Sequence, residues 1–392
     1  MKRLPSLIAI ALASTCLSAN AISSKELQQS IGAIKAVGAE GKGNARAGRA
    51  WQKLSAAGAK DLVAILRAMD GSSAIAKNWF RGAVHAVADR EISAGRGLPI
   101  GDLEKYLAQK SHDPRARRLA YELIAKADKS RADRIIPKML NDPSVELRRD
   151  AVQLVLDSAK QQKAAGKKTG ATKDYRRALN YARDVKQIQA AVAALRDYGQ
   201  TVDVPKQFGF LMNWHVIGPF DNSEREGFAR VFPPEREIKL AATYAGKEGK
   251  VSWKPFVSED EYGKVDLNLP YGMLKEVTAY AYTEYEAGEG RDAELRLGGK
   301  NAWKVWVNGK FIFGRDEYHR GKRIDQYSLP IKLQKGNNTI LVKVCQNEQE
   351  QSWTKDWDFQ IRVSDTTGKA ILAQNRKPTP ATALNPPAPK KR

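Results

Sequence analysis

The stretch KVWVNGKFIF, residues 304–313, decides the fold of the C-terminal half of this chain. Short apolar runs lie on both sides of Asn308-Gly309. An Asn-Gly pair readily supplies the two positive φ angles that a two-residue hairpin turn requires. Alternating segments lie at residues 277–285 and 293–297, and further strand-like segments lie at 339–344 and 359–363. Short strands at this spacing, with no helices between them, predict an antiparallel β-sandwich.

The N-terminal half has helical periodicity instead. Apolar residues at helical spacing follow Asp113-Pro114, and the same arrangement returns 29 residues later after Asn141-Asp142-Pro143. Asp can cap a helix, and Pro suits the first turn because its missing N–H had no partner there. One helix pair cannot bury its own apolar face, so this recurrence predicts a stack of helix pairs.

The motifs that open these helices resemble those of HEAT repeats. ARRLA at 116–120 matches LRRDA at 147–151, and each follows an Asp-Pro turn. Helix pairs with a weaker resemblance are predicted at about 46–69, 78–109 and 175–198. The resemblance implies a solenoid that serves as a curved scaffold for protein contacts.

The strand motifs resemble the galactose-binding-like jelly roll that occurs beside many glycoside hydrolases. KVWVNGK at 304–310 and LQKGNNTILVKV at 333–344 carry the similarity. WHVIGPFDN at 214–222 and FPPE at 232–235 resemble the entry segment of such domains in large secreted bacterial proteins. Similar domains often have an acidic pair in the loop where this chain has GGKNAW, residues 298–303. That departure puts a calcium or polar-ligand role of this loop in doubt.

Both ends of the chain differ in composition from the two halves. A short positive start, an apolar stretch from Leu4 to Leu17 and the small residues of Ala19-Asn20-Ala21 predict a signal peptide cleaved after Ala21. A lipoprotein signal ending at Cys16 is a lower-ranked alternative. Residues 374–392 are Pro-rich and basic, which predicts a disordered tail.

The predicted organisation is therefore a signal peptide at 1–21, a HEAT-like helical domain at 22–205, a galactose-binding-like β-sandwich at 206–373 and a tail at 374–392. Residues 22–205 hold 34 Lys and Arg against 20 Asp and Glu, a net charge of +14. Residues 206–373 hold 25 against 24. A basic exported surface favours acidic polysaccharide over nucleic acid, for which no binding motif is present. The Lys and Arg side chains are also consistent with solvated outer helix faces.

The sequence contains no motif for a catalytic, metal or cofactor site. None of His85, His112, His215 and His319 has zinc-motif spacing, and no nucleophile elbow is present. We expect neither a cofactor nor a metal, no transmembrane segment in the mature chain and no enzymatic activity. A polysaccharide-acting hydrolase or lyase remains an alternative, because acidic residues cluster in several predicted loops.

Aromatic residues in or beside the predicted loops are the candidate carbohydrate site. Indole and phenol rings pack on sugar C–H faces, and polar neighbours can bond hydroxyls. The candidate residues are Trp303, Arg315, Asp316, Tyr318, His319, Trp353 and Trp357. The sequence thus predicts a periplasmic or extracellular binding and scaffold protein. Its sandwich is expected to hold a glycan or a neighbouring protein, and its helical repeats a protein partner. The first alternative is an assembly scaffold that has no sugar site.

Overall fold

A computed structural model describes residues 22–386 of the chain. Helices occupy the chain as far as Phe208, and antiparallel strands follow from Asn213. This arrangement confirms the predicted order of a helical part followed by β-sheets. The predicted signal peptide and the last six residues lie outside the described residues. Within residues 22–386, no helix is long and apolar enough to cross a membrane.

Eleven helices are described before the first strand. They are α1 (Ser24–Lys35), α2 (Asn44–Ser55), α3 (Leu62–Arg67), α4 (Ala74–Ser93), α5 (Ile100–Ala108), α6 (Pro114–Ala127), α7 (Lys129–Ile135), α8 (Val145–Ala164), α9 (Lys168–Tyr181), α10 (Val185–Asp197) and α11 (Val204–Phe208). Short 3-10 turns lie at Ala39–Gly41, Ala59–Asp61 and Ile136–Met139.

A buried ion pair links α6 to the second Asp-Pro turn. Asp113 caps α6 by accepting from the backbone N–H groups of the next turn, as the motif predicts. Arg117, on the buried face of α6, donates to both carboxylate oxygens of Asp142 at 2.6 and 2.8 Å. Its Nε donates to the Leu107 carbonyl at 2.8 Å. The Arg in the repeated motif is therefore a packing residue that joins successive helices.

The described chain forms two compact units, of which the first ends at Ala151 and the second begins at Val152, inside α8. Helices α9 to α11 thus belong to the same unit as the strands. Arg196 on α10 forms an ion pair with Glu261 at 2.7 Å. The Arg362 guanidinium donates to the Phe208 carbonyl at 2.9 Å. The predicted domain boundary at 205/206 stays a prediction that fragments can test.

In the described part of the second unit, twelve strands and three further short helices follow α11. The strands are β1 (Asn213–Asp221), β2 (Thr243–Ala245), β3 (Lys250–Ser252), β4 (Lys254–Val257), β5 (Val265–Asp266), β6 (Val277–Ala287), β7 (Arg291–Gly299), β8 (Ala302–Val307), β9 (Lys310–Arg315), β10 (Tyr327–Leu333), β11 (Gly336–Gln346) and β12 (Asp358–Ser364). The helices are α12 (Pro233–Arg236), α13 (Asn268–Tyr271) and α14 (Ala381–Leu384).

These strands form a six-stranded sheet, ordered β4-β1-β6-β11-β8-β9, and a four-stranded sheet, ordered β10-β7-β12-β5. A small third sheet pairs β2 with β3. The β8–β9 turn has φ angles of 52° at Asn308 and 72° at Gly309, as the Asn-Gly pair predicts. The inner faces of the two large sheets share one apolar core, so the C-terminal half packs sheet on sheet.

A second apolar cluster covers the outer face of the six-stranded sheet. A buried lysine there bonds the segment that packs over this face. Lys343 on β11 donates to Glu235 at 2.8 Å and to the carbonyls of Phe228 and Arg230 at 3.2 and 2.6 Å. Burial lowers the pKa of Lys343. The FPPE motif at 232–235 therefore provides the anion that holds residues 223–236 against the sheet.

The sequence predicts disorder from Gln374, but the described part of that tail is packed against the second unit. The Gln374 N–H donates to the Glu286 carbonyl at 2.8 Å, and Arg376 donates to the Phe210 carbonyl at 2.7 Å. Thr379 bonds both carboxylate oxygens of Asp203, at 2.9 and 3.0 Å. Backbone carbonyls and Asp203 thus fix a segment whose composition alone favours disorder.

Candidate functional site

Two of the seven candidate residues, Trp303 and Trp357, are core residues. Trp303 is 1% exposed and Trp357 is fully buried. Strand β8 begins at Ala302, so Trp303 lies within the strand, where it faces the core with Val305. Its ring centroid lies 5.1 Å from that of Tyr327. The expectation that these two indoles bind sugar is therefore corrected, because neither ring can be reached from solvent.

The other five candidates lie on two neighbouring loops or at their edges, and a hydrogen bond joins the two loops. Arg315 ends β9, and Asp316, Tyr318 and His319 follow it, whereas Trp353 lies between β11 and β12. His319 Nε2 lies 2.6 Å from Asn347 Oδ1, at the start of the second loop. Burial lowers the pKa of His319. Nε2 is the donor in this contact, because an amide oxygen can only accept.

A network of buried amides lies under these loops. Asn222 donates to the Gln346 carbonyl at 2.8 Å and to the Tyr318 hydroxyl at 3.2 Å. Asn301 donates to Gln346 Oε1 at 3.0 Å, and Gln346 donates to the Thr354 carbonyl at 3.0 Å. All of these amides are buried. The network ties four chain segments together, and buried bonds of this kind hold one loop arrangement.

None of these amides is among the candidate residues predicted from the sequence, although one signal for them is present. The loop at residues 298–303 has Lys300 and Asn301 in place of the acidic pair that the galactose-binding-like resemblance leads us to expect. In the structure Lys300 forms an ion pair with Asp356, and Asn301 joins the buried network. Lys300 and Asn301 therefore supply contacts that stabilise the loops.

Trp353 is the candidate aromatic that stands out from the surface, with 63% of the residue exposed. The next residue anchors it. Thr354 Oγ1 donates to the carbonyls of Gln349 and Gln351 at 2.6 and 2.8 Å. Lys275 donates to the Thr354 carbonyl at 2.9 Å. An exposed indole on a backbone fixed at several points loses little freedom when a ligand packs on it.

Charged groups around the loops are mostly paired. Arg315 donates to Glu317 at 2.6 Å and lies over the Tyr327 ring, so it is held along β9. Arg225 pairs with Glu348 and lies over the Tyr318 ring. Asp316 is exposed. We refer to the surface formed by residues 316–320, 347–356 and 268–275 as the loop face.

Apolar side chains on a segment joined to the Trp353 loop extend the loop face. Leu269 and Met273 are 76% and 69% exposed. Their segment is joined to the Trp353 loop, because Asn268 donates to the Lys355 carbonyl at 3.1 Å. Among residues 22–386, no group of three or more His, Cys, Asp or Glu residues is placed to hold a metal ion. The loop face thus combines apolar contact area with hydrogen-bonding groups.

No protein-family model and no curated protein matches the chain. Solved structures with local similarity include the PA14 domain of the antifreeze protein MpAFP, at a TM-score of 0.19 and 12% identity over 24% of this chain and 48% of that domain. They also include a β-glucosidase from Kluyveromyces marxianus in complex with glucose (TM-score 0.24, 12% identity, 40% of this chain, 16% of that chain). A family 35 carbohydrate binding module from Clostridium thermocellum has a TM-score of 0.17 and 12% identity over 33% of this chain and 86% of the module. The match spans about half of the antifreeze domain and a small part of the glucosidase. Similarity at these TM-scores does not indicate what this chain binds.

Proposed function

We propose that this chain is an exported, non-catalytic binding and scaffold protein whose β-sandwich holds a glycan on the loop face. The observation that carries the proposal is the exposed Trp353 indole on an anchored loop. Sugar rings present C–H faces that pack on indole, and this contact needs no charge. The nearly balanced charge of residues 206–373 agrees with such a ligand.

The hydrogen-bonding groups of the loop face would orient the sugar. Asp316 is exposed near the start of the first loop, and its carboxylate would accept from sugar hydroxyls. Tyr318 and His319 hold that loop in place, because the Tyr318 hydroxyl accepts from Asn222 and His319 Nε2 donates to Asn347. A few fixed polar groups beside an apolar platform are typical of small-molecule recognition. Losing one stacking contact costs about 1–3 kcal/mol, or roughly 5- to 150-fold in affinity.

A non-catalytic role is supported by how three of the five acids of the loop face are engaged. Asp356 pairs with Lys300, Glu348 with Arg225, and Glu317 with Arg315. Those cations lower the pKa values of all three acids. A general acid needs the opposite shift, because it must carry its proton near neutral pH.

The helical part would present the second, basic surface. Its net charge of +14 favours weak contact with acidic polymers, and its HEAT-like motifs favour protein contacts. The N-terminal signal-like sequence is the basis for placing the protein in the periplasm or outside the cell.

A glycan array on the full mature chain tests the proposal. Neutral glycans should bind the wild type, and Trp353→Ala should remove most of the signal. Phe311→Ala is a matched control, because Phe311 is 51% exposed but lies on β9, outside the loop face. An array without any binder, or equal signals from wild type and Trp353→Ala, would reject the glycan site.

Protein assembly is a second candidate, favoured by the exposed Leu269 and Met273. A protein partner would bury these two side chains with Trp353, whereas a sugar needs the indole most. Leu269→Ser and Met273→Ser should therefore leave glycan binding largely intact. If both substitutions abolish binding to a co-purified protein and no glycan binds, assembly is the better account.

A further inference from the structure

A separate cavity of 390 Å³ lies in the second unit, away from the residues that form the loop face. Its walls come from α9, the turn after α9, α11 and the loop that follows β12. A cavity of this volume matches a small organic ligand. Nothing in the proposed glycan function uses it.

Positive charge dominates the cavity. Arg176, Arg183, Lys206 and Lys369 line it from four different segments. Among its described lining residues, Asp203 is the one carboxylate, and it caps α11 and bonds Thr379. Two of these cations, Lys206 and Lys369, thus lie beside a single lining carboxylate whose oxygens already have partners.

A fifth lining cation, Arg362, contributes to the wall but not to the excess charge. Its Nε donates to Asp325 Oδ1 at 2.7 Å, and its side chain also donates to the Gly368 carbonyl at 3.1 Å. Asp325 therefore balances this buried guanidinium. Arg362 holds the floor of the cavity in place. Arg183 donates to the carbonyls of Asn180 and Ala182, and Arg176 donates to Gln200, so the excess positive charge is argued from the two lysines alone.

The two lysines carry the argument for an anion. Lys206 and Lys369 are exposed, and neither ammonium group has an ion pair among residues 22–386. Charges of one sign on a concave wall focus a positive potential into the cavity. A carboxylate there would gain charge-assisted hydrogen bonds from both ammonium groups, since both are free to turn toward it.

The rest of the lining indicates what the anion is attached to. Leu179, Ile188 and Leu372 provide apolar surface, and Asn180 and Thr201 provide hydrogen-bonding groups. An inorganic anion would leave this mixed surface unused. We propose that the cavity binds a sugar acid, with its carboxylate on Lys206 and Lys369 and its hydroxyl-bearing ring against the mixed surface.

Calorimetric titration of the full chain tests this proposal, with sodium galacturonate, galactose and sodium sulfate as the ligands. Galacturonate should bind at low salt, more tightly than sulfate, and galactose should not bind at this site. Affinity should fall as ionic strength rises to 0.15 M, where the Debye length is about 8 Å. The variant Lys206→Gln/Lys369→Gln should bind galacturonate about tenfold more weakly.

The matched control is Lys310→Gln/Lys332→Gln, which changes two exposed lysines in another cavity that also contains Asp292 and Glu294. This control should keep the wild-type affinity, and both double variants should melt as the wild type does. The proposal is overturned if galacturonate does not bind, if Lys206→Gln/Lys369→Gln leaves its affinity unchanged, or if sulfate binds as tightly. Trp353→Ala should not alter galacturonate binding, so failure here is distinguishable from failure of the loop-face site.

Discussion

Replacing Trp303 by Ala should destabilise the sandwich severely. The indole is 1% exposed and packs between the sheets against Tyr327 and Phe313. Truncating a buried Trp removes its transfer free energy and leaves a cavity, which typically costs about 3–5 kcal/mol of unfolding free energy. For a unit of this size, each kcal/mol lowers Tm by about 2–4 °C, so a fall of roughly 10 °C is expected.

The assay is thermal unfolding of the full chain followed by near-ultraviolet circular dichroism, repeated with urea. Trp353→Ala is the matched control, since it removes the same side chain from an exposed position and should change stability by less than about 0.5 kcal/mol. The reasoning is refuted if Trp303→Ala melts with the wild type, or if the two variants lose the same stability. Either result would mean that the Trp303 ring does not fill the core.

Three further predictions concern other parts of the molecule. Arg117→Leu should cost about 3–5 kcal/mol of stability in the helical unit, because it leaves the Asp142 carboxylate buried without its partner; urea unfolding followed by far-ultraviolet circular dichroism measures this loss. Because burial lowers the pKa of His319 below 6.5, the unfolded chain binds its proton first on acidification. His319 therefore contributes its full stability above about pH 6.5 and loses it as pH falls below that value, so Tm should fall less between pH 7.5 and 5.5 in His319→Gln than in wild type. A fragment that begins at Val152 should melt cooperatively and at a higher temperature than one that begins at Thr201, because the shorter fragment lacks α9 and α10; equal midpoints would show that these helices do not stabilise the sheets.

The sequence alone predicts the features of the structure that depend only on neighbouring residues. The Asn308-Gly309 turn, the strands on both sides of it and the Asp113 cap all follow from residues within one turn or strand. These features are local, so periodicity and turn chemistry predict them well.

The errors concern features that depend on distant residues. The sequence predicts a loop at Trp303, because the strand pattern is clear only from Val305. In the structure, pairing with β11 extends the strand to Ala302. The order of residues 374–386 depends on the carbonyls of Glu286 and Phe210. No pattern within that segment reveals such partners, and its proline content favours disorder.

The network of buried amides under the loops also depends on distant residues, which is why the sequence did not predict it. Asn222, Asn301 and Gln346 come from three separate parts of the sequence and meet only at the end of the sandwich. Each is an ordinary amide at a strand end, and its burial becomes visible only in the fold. Trp353 differs from Trp303 and Trp357 in exposure, which sequence does not encode directly.

The most direct test of the central claim is calorimetry with the best neutral glycan from the array, titrated into wild type, Trp353→Phe and Trp353→Ala. If the exposed indole is the sugar platform, Trp353→Phe should keep most of the affinity, and Trp353→Ala should lose roughly 5- to 150-fold with an unchanged Tm. Equal affinity in all three proteins would contradict the account, because the glycan would then bind without contacting Trp353.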